Sequence, residues 1–577
     1  MIGWACTESW EAPRHAVVLR HLVPPGRPAT PSGRTTAVTS TGDLRASGTG
    51  SAARLVLPTL ASAQFLMTLD SSVMNVSIAT VAKDVGTTVT GIQTAITFYT
   101  LVMAALMITG GKLGQILGRK RAFAIGCVIY GCGSFTTALA PNLGVLMFGW
   151  SFLEGVGAAL ILPAIVALVA SNFGKEQRPR AYGLVASAGA IAVAAGPLIG
   201  GLFTTYLSWR WVFAAEVLIV LAILALARRI ADTPAESGAR LDLVGTGLSA
   251  LGLGLVVYGV LRSGTWGFIL PKEGAPQWLG LSPVIWLVLA GGLVLRLFLW
   301  WENRLVDRRA DPLVNPAILR NRTTRGGLSA FFFQYLLQAG LFFAVPLFLS
   351  VALGLSAVAT GVRLLPLSVT LLLAAVGVPK LFPRTSPRRI VQVGFLALFA
   401  GIVVLMAALD AGAGPEIVTW PLLLAGLGVG ALASQLGSVT VSSVPDEQSS
   451  EVGGVQNTVT NLGASIGTAL AGAVLIAALT SSFLSGISHN PAVPASLSEQ
   501  AGVELAAGVP FVSDADLQAG LAERGVPPET ADAVVEENST ARIRGLQASL
   551  GVLAGIALLA LFFTRAIPTR QPGATNE

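Results

Sequence analysis

Continuous apolar runs of roughly bilayer-spanning length recur from residue 55 to residue 564, and this constrains the chain more than any other feature. A helix needs about 20 mostly apolar residues to cross a hydrocarbon core. Fourteen such runs can be laid down, at 55–80, 91–111, 122–140, 143–170, 181–206, 211–228, 242–262, 282–301, 327–352, 356–379, 390–409, 417–444, 452–483 and 545–564. The runs are continuous where barrel strands would alternate, so helices are expected. With 53% hydrophobic and 12% charged residues and a mean hydropathy of +0.71, a soluble globular fold is excluded. The expected class is an all-α polytopic membrane protein.

Charge supplies orientation. Most of the 37 Lys and Arg residues fall in the amino-terminal tail and in every second loop after it. The positive-inside rule then puts both termini in the cytoplasm, which requires an even number of spans. The net charge of +7 is accounted for by this topology and leaves no nucleic-acid patch. The loop VPDEQSSE at 444–451 lacks basic residues and fits the topology least well.

The domain layout follows from the runs. Residues 1–53, rich in Arg, Pro, Ser, Thr and Gly, are read as a disordered cytoplasmic tail without a cleavable signal peptide. Residues 54–229 form one six-helix bundle and 230–303 two inserted helices. Residues 304–483 hold helices 9–13 of a second bundle, and 545–577 the last helix and a cytoplasmic tail. Between them, 484–544 is an extracytoplasmic loop or small helical cap, with helix-start signals at Ser513-Asp514 and Pro527-Pro528-Glu529. Cys6, Cys127 and Cys132 give neither a disulfide framework nor metal spacing, so no metal is expected. GKLGQILGRKR at 111–121 aligns with PKLFPRTSPRR at 379–389, setting Lys120 on Arg388 and Arg121 on Arg389. Such a repeat fits two related halves around a central site.

One run departs from a passive anchor. Residues 181–206 hold Gly183, Gly189, Gly196-Pro197 and Gly200-Gly201. The proline bends a helix, and glycines so spaced let a neighbour approach closely. Charged residues inside the runs also need a reason, because each costs roughly 2.5–3.5 kcal/mol at the bilayer centre. They are Asp70, Glu154, Glu216, Arg296 and Arg363. Arg296, near a helix end, is expected to snorkel. His15, His21 and His489 all lie outside the runs.

These residues carry a resemblance. The chain resembles the major facilitator superfamily, specifically its fourteen-helix drug:proton antiporter branch, over roughly 55–480. The family's loop after helix 2 is matched at Gly111, Leu113, Gly118, Arg119, Lys120 and Arg121, with Gln115 where an Asp is usual. Its helix 5 antiporter motif is matched at Gly183, Gly196, Pro197, Gly200 and Gly201, with Ala192 at one glycine position. LDSSVMNVSIATVAKD at 69–84, with Asp70 and Asn75, is similar to the branch's helix 1 motif, and SWRWVF at 208–213 to its helix 6 start. In helix 4 the chain departs: Ser151 stands at the position of the usual coupling arginine and Glu154 at that of a glutamine.

The resemblance implies two six-helix halves with two helices inserted between them. It also implies exchange of a lipophilic, perhaps cationic, drug or antibiotic for protons by alternating access, in the inner membrane of a bacterium. The proton gradient is the energy source, with no cofactor, and the partners are the lipid bilayer, the small-molecule substrate and protons; a monomer is expected. Desolvation favours the protonated form of a carboxylate and a nearby cation favours the ionised form, so an acid can take a proton in one conformation and release it in another. Asp70, Glu154 and Glu216 are the candidate coupling or substrate-contacting acids, and Arg363 the candidate counter-charge for the absent helix 4 arginine. Glu154 could instead be a structural partner of Arg363, and Glu216, near a helix end, could be solvated. Asn75, Gln456, Asn457 and Asn461 are candidate cavity residues, although the last three could simply join helices. Phe331, Phe332, Phe333 and Tyr335 could line a drug cavity. The Gly111–Arg121 loop is read as a conformational latch. No ATP-binding phosphate loop and no positioned nucleophile or acid–base set is present, so an ATP-driven pump or an enzyme is not expected. Two alternatives stand: export of an endogenous lipid or secondary metabolite, and a non-transporting receptor or scaffold of the same fold.

Overall fold

The computed structural model describes residues 46–569 apart from 174–177, 231–239, 273, 411, 442–443, 445–448, 496–497, 499–500, 502–508 and 510. The tail reading of 1–53 therefore lies outside the described residues up to 45, and at 46 a helix has already begun. Half of the 444–451 loop, residues 445–448, also lies outside them, and Ser449 starts the next helix.

The described chain is helical throughout, with a single isolated bridge between Trp278 and Leu281 and no strand among the described residues. The first bundle holds α1 (Ala46–Asp84), α2 (Val89–Leu117) and α3 (Arg119–Ala138). Next come α4 (Leu143–Leu146, a π-helical stretch Met147–Glu154, then Gly155–Asn172), α5 (Arg178–Tyr206) and α6 (Arg210–Ala227). The inserted pair is α7 (Leu243–Trp266) and α8 (Pro283–Asp307). Then follow α9 (Arg322–Leu347, continuing through Phe348–Ala352), α10 (Ala357–Leu381), α11 (Pro387–Ala408), α12 (Thr419–Val441), α13 (Ser449–His489) and α14 (Pro528–Phe563). Twelve of these are long and apolar enough to cross a membrane, and the bent α5 makes a thirteenth. The remaining one, α3, spans 20 residues but is diluted by Arg119–Arg121 and by small polar residues.

Local chemistry sets the ends. Thr88, Asn142, Asp242, Ser282, Asn321, Ser356 and Ser386 each accept a backbone N–H in the first turn of α2, α4, α7, α8, α9, α10 and α11. Gly118 joins α2 to α3 at φ 94°, a backbone conformation that L side chains rarely adopt. The signals at Ser513 and Pro528 start helices where the sequence reading placed them, Ser513 capping the short helix Asp514–Glu523.

Large apolar side chains such as Phe135, Leu218, Leu293, Leu373 and Trp420 are exposed around the outside. A water-soluble monomer rarely shows that much apolar surface, and lipid is its natural solvent. The most apolar stretch of α8 is only 17% buried against 72% for α4, so the inserted pair is peripheral. It reaches the rest through α7, which packs on α2 and α13.

Across the middle, α5 packs along α10 and α2 along α13. Gly201 and Gly361 set the first contact, since a Cβ at Gly201 would come 2.6 Å from the Ala357 carbonyl oxygen and one at Gly361 would strike that of Pro197. α5 bends by 42° between its parts Ser187–Val193 and Ala195–Tyr206. Pro197 has no N–H to offer the carbonyl four residues back, and Ser368 on α10 donates to that carbonyl, Val193 O, at 3.2 Å. The repeat seen in the two basic loops has a structural counterpart. Lys120 donates to the carbonyls of Arg228 (3.0 Å) and Ile230 (2.7 Å) just past α6, and Arg388 donates to those of Thr564 (3.3 Å) and Arg565 just past α14.

Candidate functional site

Three acids from three helices meet in the first bundle. Asp70 on α1, Glu154 at the end of the π-helical stretch of α4 and Glu216 on α6 are fully enclosed, and each offers a carboxylate oxygen within 4.8 Å of the others. Gly133 on α3 makes room for them: a Cβ there would lie 2.6 Å from Glu154 Cγ and 2.7 Å from the Gly149 carbonyl oxygen. The indole Nε1 of Trp150 donates to both oxygens of Asp70 at 2.9 Å, and the Ser134 hydroxyl donates to Glu216 Oε2 at 3.0 Å. Both oxygens of Glu154 and one of Glu216 have no donor within 3.5 Å, and the buried hydroxyls of Tyr99 and Tyr130 face the group. Two ionised carboxylates 4.8 Å apart repel by about 3 kcal/mol even at an effective dielectric of about 20.

No ion pair or hydrogen bond joins Arg363 to these acids among the described residues, so the expected counter-charge is not there. Arg363 is half-buried on α10, in the opposite half. Glu216 is buried rather than solvated, because its side chain turns inward to Ser134 on α3. Ser151, at the position where an arginine is usual, ties α4 to α2 by donating to the Ala95 carbonyl at 2.8 Å. The acids therefore face one another and the hydroxyls of α2 and α3, with no basic side chain among them.

A wall of two aromatic rings divides this cluster from a cavity. Trp150 and Tyr99 stack with centroids 5.1 Å apart and planes 6° apart, and both also line a cavity of about 230 Å³. Asn75, Asn457 and Asn461 line it, together with Gln64 and Gln338. Gln456 is not part of the lining. Of the aromatic cluster only Tyr335 reaches the cavity; Phe333 packs on Phe563 instead. Pro197 lines the cavity, while Gly196 and Gly200 lie against Ser72 and Val73 of α1. Gly183 lies on α5.

Beyond the cavity, at the end of the bundle bearing the cap, lies a vestibule of about 970 Å³. Val76 borders both spaces, and Gln93 of the vestibule donates to the carbonyl of the cavity residue Thr468 at 3.0 Å. The cap supplies part of the vestibule wall through Phe511, Val512 and Asp516. Buried Arg542 on α14 holds that wall, donating to the Val512 carbonyl at 2.6 Å and to Asp514 at 2.5 Å.

The opposite, basic end carries the loop read as a latch. Arg119 donates to the Ala167 carbonyl at 3.2 Å and Lys120 to the end of α6, so both act within the first bundle. Gly111 faces Pro163 of α4, also in that bundle, and Arg121 is exposed. Links toward the second bundle come from residues the sequence reading passed over. Lys112 on α2 pairs with Asp311 at 2.7 Å, and Glu451 in the first turn of α13 accepts the Asn315 N–H of the same connector. Glu302 on α8 braces that connector by accepting the N–H groups of Leu313 (2.7 Å) and Val314 (3.1 Å). Lys112, Glu302 and Arg542 lie at the edges of apolar runs, where a charge gives little sequence signal.

Comparison with known proteins adds identity to this geometry. Residues 60–468 match the model of the Major Facilitator Superfamily. The puromycin resistance protein pur8 of Streptomyces alboniger is 32% identical over 76% of this chain and 84% of its own length. The tetracenomycin C resistance and export protein of Streptomyces glaucescens is 28% identical over 71% of this chain and 73% of its own. A probable actinorhodin transporter of Streptomyces coelicolor is 27% identical, over 73% and 72%. In fold, the chain is similar to the crystal structure of a bacterial homolog of the human lysosomal transporter Spinster, with a TM-score of 0.57 at 14% identity, covering 91% of this chain and 99% of that one.

Proposed function

This chain belongs to the Major Facilitator Superfamily, and on that footing we propose that it exports a lipophilic, cationic antibiotic in exchange for protons, by alternating access across a bacterial cytoplasmic membrane. The observation that carries the reading is Asp70, a buried acid whose hydrogen-bond donor, Trp150, is also a wall of the central cavity. Substrate in the cavity and a proton on Asp70 then act on the same indole ring, which gives each a way to sense the other. The aromatic and amide lining suits a planar cation carrying hydrogen-bonding groups. The resistance and export names of the relatives support this substrate class.

The positive-inside rule places the basic end in the cytoplasm, with both termini, and the cap and vestibule outside. Export then runs from the cavity past Val76 and Gln93 into the vestibule. The Lys112–Asp311 pair is a contact that must break for the cavity to open toward the cytoplasm. α5, bent at Pro197 and pressed against α10, is the surface about which the halves rock. A second reading, export of a secondary metabolite, draws on the actinorhodin and tetracenomycin C relatives and uses the same cavity and coupling acid.

The test is uptake of puromycin and of ethidium into proteoliposomes holding inside-out protein under an imposed proton gradient. Uptake that collapses with the gradient and is lost in Asp70→Asn supports the proposal. Uptake that ignores the gradient, or survives Asp70→Asn unchanged, overturns it.

A further inference from the structure

We infer that the acid cluster is a two-proton device, in which Asp70 is one proton site and the adjoining Glu154–Glu216 pair is another, so that each cycle exchanges at least two protons. The inference rests on the coupling role proposed for Asp70 and adds a second site to it. Its ligand is the proton, and its donor set is the one pair of buried carboxyls that the coupling reading leaves without a task.

The argument is one of hydrogen-bond supply. Three carboxylates offer six oxygens, and four neutral donors face them: the Trp150 indole, shared by both oxygens of Asp70, the Ser134 hydroxyl on one oxygen of Glu216, and the hydroxyls of Tyr99 and Tyr130. Three buried oxygens, both of Glu154 and one of Glu216, have no donor within 3.5 Å. Among the described residues, the groups facing the cluster are Tyr99 from α2, Tyr130 and Ser134 from α3 and Trp150 from α4, all neutral. No cation offsets the charge of three ionised acids. A protonated carboxyl is itself a donor, so one proton on each glutamate supplies the missing hydrogen bonds and removes two of the three charges. Asp70 is the acid whose charge is best met, because the Trp150 N–H is shared between both its oxygens.

A proton on Glu154 lies beside the carboxylate of Asp70, which can accept from it, and not beside a fixed cation. Enclosure away from water and carboxylate oxygens within 4.8 Å of one another oppose charge on more than one of the three acids. Admission of water past Trp150 and Tyr99 lifts the first constraint, and a glutamate proton then leaves to solvent. The net change is one O–H bond exchanged for one in hydronium, with no electron transfer. Exchange of two protons for one monovalent cation moves one net charge per cycle and makes transport sensitive to membrane potential.

The experiment is the reversal potential of puromycin flux in proteoliposomes, with the substrate gradient fixed and the pH gradient varied at clamped membrane potential. Wild-type protein should balance at a proton-to-substrate ratio of two or more. Glu154→Gln, and separately Glu216→Gln, should lower the ratio toward one while gradient-driven exchange persists; monodispersity on size exclusion identifies variants that fold. A wild-type ratio of one that neither substitution changes overturns the second site and leaves the Asp70 reading intact. Absence of any proton-linked flux in wild-type protein overturns both. Manganese or calcium transport that competes with protons and is lost in Glu154→Gln would make the cluster a cation site and overturn the inference.

Discussion

Replacing Gly361 by Ala tests the seam between the halves more sharply than any other single change. The new Cβ would strike the Pro197 carbonyl oxygen, and would lie 2.7 Å from the Pro197 carbonyl carbon and 3.3 Å from Leu198 N. All three are backbone atoms, so no side chain can give way. A carbon normally meets a carbonyl oxygen at about 3.3–3.6 Å, so α5 and α10 must separate by about 1 Å. The 3.2 Å bond from Ser368 to the Val193 carbonyl then fails, and the carbonyl already abandoned by Pro197 is left unpaired. Overpacking costs about 1–3 kcal/mol and the orphaned acceptor a further 1–3 or so. Alanine's gain in helix propensity returns about 0.5–1 kcal/mol, for a net loss of about 1–5 kcal/mol. Gly377→Ala on the same helix is the control, because its Cβ would meet only Leu381 Cδ1, at 3.9 Å. The assay is apparent Tm of purified protein in detergent, followed by loss of monodispersity on heating, together with puromycin uptake. Gly361→Ala should melt below wild type and transport more slowly, while Gly377→Ala should match or exceed wild-type Tm. Equal Tm for the two variants would refute the close approach.

Other expectations concern the site and its two ends. Trp150→Phe keeps a ring for Tyr99 to stack on but removes the N–H to Asp70, a charge-assisted bond of about 1.5–3 kcal/mol; gradient-driven uptake should fall by roughly tenfold or more at near-normal expression. Arg542→Ala unclamps Val512 and Asp514 and should speed protease cleavage near residues 509–516, with a local loss of roughly 1–3 kcal/mol. Lys112→Met removes one partner of a pair whose other member, Asp311, is 47% exposed, so global stability should change by no more than about 1 kcal/mol. In a Thr460→Cys background it should nonetheless increase labelling of the cavity cysteine by a polar maleimide applied from the basic end.

Much of the fold was legible in the residues because a bilayer leaves few options. Runs such as 143–170 and 390–409 are too long and too apolar for anything but spanning helices, and each appears as one. Pro197 and its flanking glycines announced a bent, close-packed helix; the sequence did not reveal that Ser368, on a distant helix, answers the carbonyl that the proline frees. Asp70, Glu154 and Glu216 were each visible as charges needing a reason, but their convergence depends on how α1, α4 and α6 pack, which no local pattern encodes. Arg363 was matched to the acids across the two halves by charge alone, and no hydrogen bond or ion pair joins it to them among the described residues. The loop repeat pointed to a real correspondence, Lys120 on α6 and Arg388 on α14, yet those contacts stay inside each half. At the basic end the halves are joined by Lys112, an ordinary-looking charge at the edge of an apolar run, and across the middle by Ser368, Gln93 and the Gly201–Gly361 seam.

The most direct test of the account is proton release on substrate binding, measured with a pH-sensitive dye in weakly buffered detergent solution. Addition of puromycin to wild-type protein should release protons in proportion to the protein present, and addition to Asp70→Asn should release markedly fewer. Puromycin binding with no proton release by wild type, or with undiminished release by Asp70→Asn, would contradict the claim that substrate in the cavity and a proton on Asp70 compete.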